Sequence, residues 1–335
     1  MGVSLNHTEE TTKYLREVLK MDYALTNYQI KDLFLKDNNF NVNDFVLDDF
    51  IKNLDATPRT KETYLKGVKV FLQWCNDNNV SEVQHATLIQ YKEDLMKTKK
   101  ASTISMYMTS LKQLYKYLET KGIKNIASNL KGAKQKRNYS KDPLTLDQAK
   151  DLLNSIDRTT KEGKRNYALI HLLLTTGLRT IEVERANVED IRNVANNSVL
   201  YVMGKGKDTK DEYVKLTYET LKAINEYLAT RNIKSDKEPL FVSYSDRTNG
   251  QRLKTRSIRD IIKKAYLNIG ITSDRITSHS LRHTAITLSL IGGTPLQEVQ
   301  QMARHSNINT TMIYAHNLKR IESNAEQNIQ TLLNS

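Results

Sequence analysis

The sequence predicts a mainly α-helical chain in two parts: a helical bundle, then a mixed, mostly helical domain carrying a small antiparallel β-sheet. Three observations carry that expectation. Apolar residues recur at helical spacing over residues 44–122 and again from residue 145 onward. Two short apolar or alternating runs, residues 199–203 and 212–216, bracket the polar tip GKGKDTKD as a hairpin would. Between the helical regions, residues 128–143 (SNLKGAKQKRNYSKDP) are basic, polar and aperiodic, which reads as an interdomain linker.

Taken in order, residues 1–43 form a nearly charge-balanced extension, with a short helix expected over residues 12–20. In the bundle, residues 44–127, Tyr64, Val68, Phe71, Leu72 and Cys75 share one helical face. Pro58 stands near the start of that helix, where a missing N–H costs nothing. Ser102 is expected to cap a further helix that buries Ile104, Met108, Leu111, Tyr115 and Leu118, with Gly122 past its end. Thr103, Thr109, Lys112 and Lys116 lie on its other face. Runs at residues 44–54 and 85–97 complete about four helices, with Trp74 and Cys75 as packing residues.

The second domain, residues 144–317, opens on Thr145-Leu146-Asp147-Gln148, a capping box. The helix over residues 165–176 is apolar enough to be central, and its His171 reads as a structural histidine. Gly177 ends it, and Arg179 emerges before the next helix starts at Ile181. After the hairpin come a helix (217–230), a strand (240–243) and a helix (255–269). Lys254, Arg256 and Arg259 open the last of these, a start suited to phosphate or base-edge contact. Thr294-Pro295-Leu296-Gln297 reads as an N-cap, an N1 proline and a capping-box glutamine. In residues 318–335, Leu318, Ile321, Ala325, Ile329, Leu332 and Leu333 make an apolar stripe. That stripe either folds back on its own domain or docks on a neighbouring copy.

The 335 residues are 39% hydrophobic and 27% charged, values of a soluble globular protein, with length for two cores. No apolar run reaches 18 residues and the N-terminus lacks a signal-peptide layout, so a cytoplasmic protein is expected. The single cysteine excludes an internal disulfide and a cysteine metal site. A net charge of +13 points to a polyanion. Its distribution says more: residues 96–141 hold twelve Lys or Arg against one acid, Glu119. A nucleic-acid partner follows, with Thr103, Lys112 and Lys116 of the bundle and Lys134, Lys136 and Arg137 of the linker among its contacts.

The candidate chemistry gathers in TSHSLRHTAITLSLIGGTPLQEVQQMARHSNINTTMIYAH, residues 277–316. His279 and Arg282 are three apart at a helix start, His305 follows a second helix, and Tyr314 lies nine residues on. A tyrosine, pKa near 10, becomes a useful nucleophile when cations surround it and the phosphate it attacks. Arg179 and Arg282 can grip non-bridging oxygens and hold the charge that grows in the transition state. Glu182 can support Arg179. His305 can donate to the same oxygens, and His279 can accept or relay the phenolic proton. Lys205, at the hairpin tip, can protonate a leaving 5′-oxygen, with Lys207 and Lys210 as alternatives. There is no carboxylate cluster for two-metal catalysis and no HExxH spacing, so neither metal nor cofactor is expected.

At these residues the chain closely resembles the tyrosine recombinase, or phage integrase, family. TTGLRTIEVERANVEDI is similar to its first arginine box, SHSLRHTAITLSLIGG to its HxxR box, and MARHSNINTTMIYAH to its His-to-Tyr segment. The resemblance covers residues 44–325 and implies a helical core-binding domain and a catalytic domain forming a clamp around DNA. It implies roles for Arg179, Lys205, His279, Arg282, His305 and Tyr314, supported by Glu182. It also implies a 3′-phosphotyrosyl intermediate, a Holliday junction, and a homotetramer on two DNA sites with exchanged C-terminal helices. An excisionase or host DNA-bending protein is a further implied partner, and residues 1–43, short and without a basic excess, favour an Xer-like enzyme or a small mobile-element integrase. Type IB topoisomerase chemistry and a catalytically silent DNA-binding regulator are the competing readings. Ala303-Arg304 stands where the family usually has Leu-Gly, a change expected to affect packing more than chemistry.

Overall fold

The computed structural model describes residues 47–134, 142–204, 207–322 and 324–334. The helix expected over residues 12–20 lies outside them, as do Lys136, Arg137 and Lys205. The chain divides into two compact units, one on each side of residues 135–141.

The first unit packs α1 (Leu47–Asn53), α2 (Pro58–Asp77), α3 (His85–Thr98) and α4 (Ala101–Thr120). Thr57 caps α2 and Pro58 occupies its first turn. The expected faces are the buried ones: Val68, Phe71, Leu72 and Cys75 from α2 meet Ile104, Met108, Leu111, Tyr115 and Leu118 from α4. Fully burying each such Leu or Phe contributes about 1.5–3 kcal/mol. Burial pushes the Cys75 thiol up to about 12, so it packs and does not react. One detail differs from expectation. α4 starts at Ala101 with Lys100 as its uncapped N-cap, which leaves Ser102 inside the first turn.

The second unit begins with α5 (Leu146–Asn154), closed by the Thr145/Gln148 capping box, and α6 (Lys161–Thr176), capped by Thr160. α7 (Thr180–Arg185) and a single 3₁₀ turn, Val188–Asp190, lead into an antiparallel sheet. Its strands are β1 (Ile191–Val194), β2 (Asn197–Val202) and β3 (Glu212–Lys215), in that order, with Ile191 opposite Leu200 and Val202 opposite Glu212. α8 (Tyr218–Leu228), α9 (Thr255–Asn268), α10 (Ser278–Ile291), α11 (Leu296–Ala303), α12 (Ile308–Glu322) and α13 (Ala325–Leu333) follow.

Residues 240–243 are not a strand. Two isolated bridges, Asn187 with Pro239 and Val242 with Arg252, replace a ladder there, and Arg165 Nη1 donates to the Val242 carbonyl. Pro295, not Thr294, is the N-cap of α11, so no capping box forms at that turn. The main core runs through Leu169, Leu173, Leu200, Ile224, Tyr227, Ile258 and Leu281. His171 lies half-buried beside it, its Nδ1 3.1 Å from Thr220 Oγ1. A smaller cluster of Ile286, Val299, Ala303 and Tyr314 joins α10, α11 and α12. The predicted stripe at the C-terminal end is broken between α12 and α13, and on α13 Ile329, Leu332 and Leu333 are exposed.

Candidate functional site

The site starts from a helix that has to stop. Gly177 ends α6 in the left-handed conformation (φ 62°), which a glycine reaches without a Cβ clash. The turn that follows makes Arg179 the N-cap of α7 and puts Glu182 at its third position. Glu182 reaches back with both oxygens: one accepts from the Arg179 backbone N–H at 2.7 Å, the other from Arg179 Nη1 at 2.9 Å. One carboxylate therefore caps the helix and fixes the guanidinium. Glu182 is fully buried, and a buried carboxylate is stable only when paired. Its second cation is Arg304, whose Nη2 donates to it at 2.7 Å.

Arg282 enters from the first turns of α10 and is 8% exposed. Its Nη1 donates to the Gly177 carbonyl at 2.5 Å and its Nη2 to the Ala303 carbonyl. Both acceptors sit at helix C-termini, where orphan carbonyls and the helix dipole favour a cation. Burial, then the neighbouring Arg179 and Arg304, push the Arg282 guanidinium down to about 10, with Glu182 and Tyr314 opposing. It stays charged at neutral pH. Three guanidiniums around one carboxylate leave a local surplus of positive charge, and such a site favours an anion.

Tyr314 comes from α12 and is 8% exposed. Its hydroxyl lies 2.5 Å from His283 Nδ1, and its ring packs near-parallel to that of His305 at 6.4 Å between centroids. His305 is oriented by Thr311, whose Oγ1 is 2.9 Å from its Nδ1. Burial pushes the phenol up to about 12, with Arg282 pulling the other way. Burial also pushes His283 down to about 4, helped by His279 and Arg282. His305 is held at about 4 by burial and by the three arginines and His283. Both rings are therefore neutral at pH 7. The His283 Nδ1 accepts from the phenol in the tautomer protonated at Nε2.

These shifts have a consequence for stability. Each ring has a lower pKa folded than its ordinary 6.5, so between pH 6.5 and 4 the unfolded chain binds more protons. The stability these rings contribute is complete above pH 6.5 and is lost as pH falls through that window. The denaturant midpoint should drop between pH 7 and 5, above the carboxylate range. A His283→Gln, His305→Gln double variant should flatten that drop, and an equally steep drop in the variant would refute the assignment.

Of the residues expected from sequence, Arg179, Glu182, Arg282, His305 and Tyr314 meet in one cluster. His279 is exposed in the first turn of α10, close enough to His283 for its charge to matter. The other hairpin lysines are engaged. Lys207 Nζ donates to Glu212 at 3.0 Å and to Asp211 at 3.3 Å, and Lys210 Nζ lies 2.5 Å from the buried Asp190. Two residues of the cluster were not among the candidates, His283 and Arg304. His283 had a signal: it is one turn beyond His279 on the same helix. Among the described residues, no group of three or more His, Cys, Asp or Glu could hold a metal ion, and no helix is long and apolar enough to cross a membrane.

The candidate DNA contacts that are described lie on the surface of their own units. Lys116 and Lys134 are exposed in the first unit, with Thr103 and Lys112 half-exposed. In the second, Lys254, Arg256 and Arg259 are exposed at the start of α9, and Lys254 Nζ stands 3.5 Å from Glu184. Glu184 also accepts from the Thr255 N–H at 2.6 Å, capping α9 from another helix.

Comparison with known proteins gives the same answer along the chain. Residues 143–320 match the phage integrase family, and residues 46–125 match the N-terminal SAM-like domain of phage integrases. The tyrosine recombinase XerC of Caldanaerobacter subterraneus subsp. tengcongensis is 35% identical over 217 residues, 62% of this chain and 57% of that one. XerC of Thermodesulfovibrio yellowstonii is 30% identical over 67% of this chain and 74% of its own length. In structure, the XerH site-specific recombinase bound to palindromic difH substrate superposes with a TM-score of 0.66 at 19% identity. That superposition covers 89% of this chain and 92% of XerH.

Proposed function

Since the chain belongs to the phage integrase family and is a site-specific recombinase of the Xer-like kind, we propose that Tyr314 is its nucleophile, inside a cage of Arg179, Arg282, His305 and His283. One observation carries this reading: the Tyr314 hydroxyl is buried in the same cluster that concentrates three guanidiniums. A DNA phosphate brought to Arg179 and Arg282 supplies the anion that the cluster favours. The phenolic oxygen forms a bond to phosphorus and the bond to the 5′-oxygen breaks. The phenolic proton passes to a neighbouring histidine, His283 by contact and His279 by relay. The departing 5′-oxygen takes a proton from a hairpin lysine, Lys205 in this reading. The resulting 3′-phosphotyrosyl bond is then attacked by the 5′-hydroxyl of the partner strand, through a Holliday junction.

The reading extends to assembly. The substrate is a double-stranded recombination site, with Lys112, Lys116, Lys134, Lys136, Arg137, Lys254, Arg256 and Arg259 contributing phosphate contacts. Four copies act on two sites, and the exposed Ile329, Leu332 and Leu333 of α13 suit exchange with a neighbouring protomer. Reaction in the cytoplasm, on the nucleoid, needs neither metal nor ATP, because the cage stabilises the charge and the phosphotyrosine keeps the bond energy. An accessory excisionase or DNA-bending protein fits the same scheme.

The test uses the full chain, a pool of nicked duplexes of random core sequence, and excess chelator. A denaturation-resistant protein–DNA adduct is expected, with the modified peptide containing Tyr314. An adduct that requires divalent metal would overturn the metal-free mechanism, and one mapped to another residue would remove Tyr314 as nucleophile.

A further inference from the structure

Arg304 sits at the C-cap of α11, immediately before His305, in the left-handed conformation (φ 53°, ψ 48°). A glycine takes that conformation without cost and an arginine does not. The side chain nevertheless turns inward and is 6% exposed. Its Nη2 holds Glu182 at 2.7 Å and its Nη1 the Met302 carbonyl at 3.1 Å. Its Nε, buried and without a hydrogen-bond partner, faces Glu212 Oε2 at 3.6 Å. Glu212 begins β3 and accepts from Lys207 Nζ at 3.0 Å. On the other side of the hairpin, Arg185 Nη1 donates to the Gly204 carbonyl at 3.1 Å.

Charges thus alternate without a break: Arg179, Glu182, Arg304, Glu212, Lys207. One end of the series is an arginine of the site, and the other is Lys207, a described lysine of the β2–β3 hairpin. Neutralising Glu182 alone does not explain it, because Arg179 already pairs that carboxylate through two contacts. What Arg304 adds is a connection to β3.

We infer that Arg304 is a positioning residue: held by Glu182 on one side and Glu212 on the other, it sets the lysine hairpin and Arg179 in one register. The inference rests on the recombinase reading above. A guanidinium suits the task because its rigid plane presents Nη2 and Nε in fixed directions, toward Glu182 and toward Glu212, where an ammonium on a flexible stem fixes no such spacing.

The experiment measures single-turnover adduct formation on a nicked duplex for Arg304→Gly, Arg304→Lys, Glu212→Gln and the Arg304→Gly, Glu212→Gln pair. Arg304→Gly should fold, since it relieves the backbone, and a binding titration beside the rate should show DNA affinity weakened far less than cleavage. Its cleavage rate should fall at least about tenfold, a modest part of what a general acid supplies. Arg304→Lys should recover part of the loss, Glu212→Gln should show the same defect, and the pair should be no slower than either alone. A duplex with sulfur in place of the bridging 5′-oxygen leaves as a thiolate and needs no acid, so it should restore the variants. If the parent forms no adduct, the proposed function itself fails. If the parent reacts and Arg304→Gly and Glu212→Gln match it, or the sulfur duplex rescues nothing, Arg304 has no positioning role.

Discussion

A Tyr314→Phe protein is expected to fold, to bind DNA with the affinity of the parent, and to form no covalent adduct. The ring keeps its place in the cluster with Ile286, Val299 and Ala303, so packing is unchanged. The folded protein loses one hydrogen bond, from the phenol to His283, a net effect of about 1 kcal/mol. The reaction loses its attacking atom, which should lower the rate by roughly 10⁴-fold or more. Gel analysis of adduct on a nicked duplex, beside a binding titration, separates the two effects. An adduct that persists in the variant would falsify the assignment of the nucleophile.

Arg282→Ala should be the next most damaging change, and it should act on chemistry and fold together. Loss of one donor to a developing oxyanion typically raises a barrier by about 3–4 kcal/mol, roughly 100- to 1000-fold in rate. The carbonyls of Gly177 and Ala303 lose their shared partner, and an unsatisfied buried carbonyl costs about 1–3 kcal/mol. The denaturant midpoint should therefore fall with the cleavage rate. Arg282→Lys keeps the charge but reaches only one of the two carbonyls, so it should recover stability only in part and the rate less. Unchanged cleavage in Arg282→Ala, at unchanged binding, would remove it from the reaction.

The helices were legible because burial and period agree. Val68, Phe71, Leu72 and Cys75 on α2, and Ile104 to Leu118 on α4, face the core that their spacing demands. The Thr145 box and the Gly177 stop were read from local chemistry alone, and both hold. The caps at Ser102 and Thr294 missed by one or two residues, a local matter, whereas the strands were settled by tertiary contact. β1 is short and mostly exposed, so it lacks a clear alternation and owes its existence to pairing with β2. Residues 240–243 have strand composition, but no neighbouring strand lies in register to complete a ladder.

Within the site, the residues that meet in the cluster were visible through their order and spacing along the chain. The role of Arg304 was not. It depends on a backbone turn that a single sequence does not reveal, and on a carboxylate 122 positions away. His283 was overlooked because His279 and Arg282 already satisfied the motif. Only the rotation of α10 brings its Nδ1, and the phenol, together.

The weakened acidity of the Tyr314 phenol bears on the proposed reaction. At about 12, only roughly one molecule in 10⁵ carries a phenolate at pH 7. With Tyr314 as the proposed nucleophile, a protomer without DNA should react slowly with added electrophiles at that phenol. A seated phosphate, held by the arginines, would give that phenol its electrophile while a neighbouring histidine takes its proton.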